Sequence, residues 1–188
     1  MRARPTPNLA RRFRGWSWNN RLMAVDMEDL KIRMDDLAHQ VADAFGEALD
    51  HSVDSVQTVE RILAEIHRNY KKTGNVDGLN GLALEFAAHI IKVIDANYGP
   101  GEWTRDHPKF GEGSLPYRWR GTDLFPYSWC QKRIFDGPAD NVWSKFEAFQ
   151  KLVVQTDERG DDPGALLERT RKESRVRFLG RRKGRSSL

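Results

Sequence analysis

The stretch from Leu79 to Tyr98 constrains this chain more than any other part of it. At about 100° per residue, Leu79, Leu82, Ala83, Phe86, Ile90, Val93 and Ile94 fall within one apolar arc about 120° wide, the signature of a helix with a broad face to bury. Gly99-Pro100-Gly101 stops it. A helix of this kind needs covering, so the rest of the chain is expected to fold around it as the central core element. Gly78 and Gly81 in its first turn lower helix propensity but let another element approach closely.

The flanking segments supply the cover. Apolar residues recur at spacings of three and four from Met27 to Leu49, through Leu30, Met34, Leu37, Val41 and Phe45. A second helix is predicted over 53–72, with Ser52 as N-cap, Val56, Val59, Ile62, Leu63, Ile66 and Tyr70 inward, and Thr73-Gly74-Asn75 as its stop. After residue 101 the pattern changes to short extended segments. Glu102-Trp103 and Tyr117–Phe125 read as strands, with Gly121 as a bulge in the second. Pro126 then starts a helix reaching Asp136, and a last helix is predicted over 141–154. The expected fold is α+β, with three N-terminal helices packed on a small antiparallel sheet and one or two C-terminal helices.

Charge is distributed unevenly along the 188 residues. The formal net charge is +4, but residues 1–22 contribute six arginines and no acid, residues 169–188 contribute +8, and residues 23–168 carry −10. This predicts a basic N-terminal segment (1–26), one globular domain (27–154), and a linker with a basic C-terminal tail (155–188). Met23, Met27 and Met34 offer later translation starts that would remove most of the first segment. An acidic body repels phosphate backbones, so nucleic acid is expected to bind only through the tails, with Arg181, Arg182, Lys183 and Arg185 as the contact patch. No apolar run is long enough for a membrane span. A single cysteine, Cys130, excludes an intramolecular disulfide framework and points to a reducing, cytoplasmic setting.

Chemistry-bearing patterns are sparse. The chain has no phosphate loop, dinucleotide fingerprint, HExxH or nucleophile elbow. Glu85 and His89, at i and i+4, flank the apolar arc of the third helix. They read either as half of an acid–base or metal site or as an ordinary boundary pair. Cys130 near a helix start reads as a thiolate nucleophile or, more commonly, as a small buried hydrophobe. The richest feature is the run of aromatics from Trp103 to Trp129, interleaved with Arg105, Arg118 and Arg120. Strand alternation places Tyr117 and Trp119 on one face and Arg118 and Arg120 on the other.

Three pieces in order also carry a resemblance. They are the small-residue-rich helix Leu82-Ala83-Leu84-Glu85-Phe86-Ala87 running to Asn97-Tyr98-Gly99, the Glu102-Trp103 pair, and Phe125-Pro126 opening a helix with Lys132-Arg133-Ile134 and ending in Asp136-Gly137. Over Leu82 to Phe149 the chain resembles an uncharacterised bacterial family built on a domain of unknown function. The resemblance implies a small α+β domain, often near toxin and immunity genes, and supplies no catalytic residues. The expected function is a non-enzymatic protein-binding module, of immunity or regulatory type, with a basic protein as partner and Trp103, Tyr117, Arg118, Trp119 and Arg120 as its binding residues. Nucleic-acid binding by the tails and a hydrolase using Glu85/His89 or Cys130 are the alternatives. No metal or cofactor is expected.

Overall fold

The computed structural model describes residues 26–159. Five helices and a three-stranded antiparallel sheet form an α+β fold with the predicted order: three helices, the sheet, then two helices. No helix among the described residues is long and apolar enough to cross a membrane.

Helix α1 spans Met27–Phe45, opened by the Asp26 carboxylate accepting the Glu28 N–H. The sequence predicts a helix reaching Leu49, but it ends four residues earlier. Gly46 adopts a left-handed conformation with φ 75°, and its N–H and that of Glu47 return to the Asp43 and Ala42 carbonyls. That arrangement closes a helix in a Schellman motif, and glycine enters it without a Cβ penalty. Residues 46–54 are thereby released as a linker.

Helix α2 covers Ser55–Thr73, starting two residues later than predicted. Ser52 is not its side-chain cap. The Asp50 carboxylate takes the Ser52 N–H, and the Ser52 carbonyl accepts both the N–H and the hydroxyl of Ser55. A local side-chain turn has displaced the helix start.

Helix α3, Leu79–Tyr98, is more deeply buried than its one-sided arc predicts, with every residue from Gly81 to Ile91 inside. The reason is that it packs against both α1 and α4 (Pro126–Phe135), so no long face is left to solvent. Burying side chains such as Phe86 and Ile90 contributes about 2 kcal/mol each. Helix α2 covers α4 and α5 (Val142–Arg159). The last helix was expected to stop at 154. It continues to Arg159, with Thr156 buried and its hydroxyl donating to the Val153 carbonyl.

Strands β1 (Glu102–Trp103), β2 (Tyr117–Trp119) and β3 (Thr122–Leu124) pair in sequence order, with Arg118 opposite both Glu102 and Asp123. Gly121 is not a bulge inside one strand. Arg120 and Gly121 both have positive φ, 41° and 76°, and form a two-residue hairpin turn between two strands. The sheet lies over the end of α3: the Trp119 Nε1 donates to the Tyr98 and Gly99 carbonyls, and its ring meets Phe149 edge-on. At Gly101 a Cβ would stand 2.5 Å from the Arg118 carbonyl oxygen, so this crossing admits only glycine.

Candidate metal centre

The linker released by Gly46 doubles back along α1. Its residue His51 has φ 58°, a left-handed conformation that costs a non-glycine residue about 1 kcal/mol. The Asn97 amide holds the turn by donating to the His51 carbonyl at 2.9 Å and to the Val93 carbonyl at 2.8 Å. His51 is thereby aimed at α1, where Asp35 and His39, one turn apart, face α3 and its His89. Ligand atoms from Asp35, His39, His51 and His89 all lie within 4.8 Å of one another.

His51 Nε2 stands 2.8 Å from Asp35 Oδ2, and His89 Nδ1 stands 2.8 Å from Asp35 Oδ1. His39 Nε2 is 3.4 Å from His51 Nε2 and 3.7 Å from Asp35 Oδ1. The three imidazoles have ring centroids 5.0 to 5.4 Å apart. Asp35 and His89 are buried, whereas the His39 and His51 side chains are 34% and 31% exposed, so one side of the cluster faces solvent.

The Ser55 oxygen lies 2.7 Å from the Ser52 carbonyl and 2.9 Å from His89 Nε2, so it ties the ring to the linker. Burial drives His89 toward its neutral form, outweighing the Asp35 carboxylate beside it. Burial pushes the Asp35 carboxyl up, but hydrogen bonds from His89 and His51 outweigh it and bring the group below the ordinary carboxylate range. Three imidazoles thus converge on one buried carboxylate, with Lys92 Nζ standing 3.8 Å from its Oδ2.

Ligand histidines commonly bond an outer partner through their second ring nitrogen, and Ser55 stands at that position beside His89. Three imidazoles and one carboxylate suit zinc and neighbouring divalent transition metals better than calcium or magnesium, which prefer oxygen. Tetrahedral bonds of about 2.1 Å place donors about 3.4 Å apart. The separations from 2.8 to 3.7 Å around Asp35 and His39 bracket that value.

The residues singled out in the sequence are placed differently. Glu85 and His89 share α3, and the two His89 nitrogens face Asp35 and Ser55. Cys130 is fully buried in α4, and burial pushes its thiol far up, away from a thiolate nucleophile. Trp103, Tyr117 and Trp119 point into the core, where sheet alternation spends them on covering α3. Arg118 and Arg120 are exposed as expected, paired with Asp123 and Asp157, and Arg120 also lies over the Trp119 ring. Phe110, Phe125, Tyr127 and Trp129 line a separate cleft of about 550 Å³ with Lys132 and Lys145. Arg181, Arg182, Lys183 and Arg185 lie outside the described residues.

The sequence pattern offered His89 only as half of a site; the residues that meet it include Asp35 and His39, at i and i+4 on α1. Gly46 was the further signal, because a helix stopping there returns the chain toward His39. No family model, curated protein or solved structure matches the chain.

Proposed function

We propose that the chain is a metal-dependent protein in which Asp35, His39, His51 and His89 bind one divalent transition-metal ion. The observation that carries this reading is the convergence of three imidazole nitrogens and one buried carboxylate, their ligand atoms all within 4.8 Å of one another. Four protein ligands fill a tetrahedral shell, and the half-exposed His39 and His51 border the side from which water would reach the ion as a fifth ligand. Such an ion lowers the pKa of a bound water and makes it a nucleophile near neutral pH, so hydrolysis is the reaction class the site favours.

Of the hydrolase alternatives built on Glu85/His89 or Cys130, this reading keeps His89 and joins it to Asp35, His39 and His51. A protein-binding role is a second reading, supported by Arg118 and Arg120 on the exposed side of the hairpin.

Metal analysis of the full chain after zinc loading and desalting tests the metal reading. One zinc per chain is expected, and at 100 times Kd zinc stabilises the fold by about 2.7 kcal/mol, reversed by a chelator. Failure to retain zinc, cobalt, nickel, iron or manganese at micromolar concentration refutes it.

A further inference from the structure

One cation stands beside the cluster on its solvent side. Lys92 lies on α3, three residues after His89, and its Nζ forms an ion pair with Asp35 Oδ2 at 3.8 Å, beyond hydrogen-bond distance. Its side chain is 32% exposed, on a par with His39 and His51. We infer, resting on the metal reading above, that the ion expands to a fifth ligand on this side, an oxyanion that bridges it and Lys92 Nζ.

Charge and reach both support this. A divalent ion, three neutral imidazoles, the Asp35 carboxylate and the Lys92 ammonium sum to two positive charges in a half-buried site. Asp50, the nearby carboxylate on the linker, is exposed and already accepts the Ser52 N–H. An ion bonded to Asp35 at about 2.1 Å lies within about 6 Å of Lys92 Nζ. An oxyanion closes that gap, with one oxygen on the metal and a second accepting from the ammonium at about 2.8 Å. Lysine suits the task as a compact point charge with three donors, two or more of them free of Asp35. The ligand is thus a phosphate or carboxylate group, free or at the end of a larger substrate.

The test uses the full chain loaded with cobalt(II), whose visible spectrum reports changes in its ligands. Inorganic phosphate and acetate are titrated separately. At least one is expected to shift the cobalt bands saturably, and whichever does so identifies the oxyanion class. Lys92→Met is expected to weaken that binding at least tenfold while leaving cobalt affinity within threefold. Lys92→Arg is expected to recover part of the loss. Bands that respond to neither anion, or a Lys92→Met protein that titrates like the parent, overturn the inference while the metal reading stands. A chain that binds no cobalt overturns both.

Discussion

Two polar clusters join α1 to α3 less than two turns apart, and they differ in one respect. In the first, Lys31 of α1 donates to Asp95 Oδ2 at 2.8 Å, and Asp95 Oδ1 accepts from the Tyr117 hydroxyl and the Gly101 N–H. Each acceptor faces a donor, and the lysine cation balances the carboxylate. Burial works against the Lys31 ammonium, but its bonds to Asp95 and Glu28 prevail and raise its pKa. Burial and the Asp95 hydrogen bond both push the Tyr117 hydroxyl far up, so it stays a donor. In the second, the buried Asp35 carboxylate faces three imidazoles, and its cation, the Lys92 ammonium, stands back at 3.8 Å. The first carboxylate is bonded directly to a cation, a hydroxyl and an N–H. The second is surrounded by nitrogens of the kind that ligate metals. The donors around the carboxylate are what separate a structural rivet from a candidate binding site.

Exchanging the two carboxylates for alanine gives the largest expected effects, in opposite readouts. Asp95→Ala leaves Lys31 and Tyr117 buried without their acceptor and is expected to cost about 3 kcal/mol in urea unfolding, with metal affinity unchanged within threefold. Asp35→Ala is expected to lower zinc affinity at least 100-fold while costing the metal-free protein less than Asp95→Ala does. Equal losses of stability and no loss of zinc would make the clusters equivalent and remove the distinction.

The pH dependence of the metal-free protein sharpens the same comparison. Burial holds the His89 pKa below its ordinary value of 6.5, so the unfolded chain binds more protons there than the folded one. Stability is then expected to fall as pH drops through about 6.5, seen as a lower urea midpoint at pH 5.5 than at 7.5, with the slope reduced in His89→Gln. The Asp35 contribution, from a lowered pKa, is present above its ordinary 3.8 and is lost only in stronger acid. Greater stability on acidification would mean that a proton on Nδ1 closes the cluster by itself. The smallest effect is expected at the hairpin. Arg118→Ala with Arg120→Ala removes two exposed ion pairs and should shift stability by under about 1 kcal/mol and metal affinity not at all.

The fold was largely legible because its signals are local. The apolar arc of α3, Pro126 at the first turn of α4 and Gly99-Pro100-Gly101 each act over a few residues, and the α+β order follows from them. Errors arose where one residue's backbone decided the outcome. Gly46 ended α1 early, and Gly121, read as a bulge, made a turn. The site was hidden for a different reason. Its ligands stand at 35, 39, 51 and 89, and only Asp35 and His39 have helical spacing; the others meet them through the path of the linker and the docking of α3. The aromatic run misled because composition alone does not say which face of a strand is inside. Trp103, Tyr117 and Trp119 are large enough to roof α3, and the fold uses them for that.

The left-handed His51 also bears on how fast an ion is exchanged. Asp35, His39 and His89 ride on helices locked into the core, so they part only when the domain itself opens. His51 sits on a nine-residue linker tied down at this point by the Asn97 amide and by Asp35. Letting go of those two bonds relaxes its backbone and withdraws one ligand, without disturbing the helices. Were an ion bound here, its exchange would follow the lifetime of this single strained turn rather than that of the fold around it.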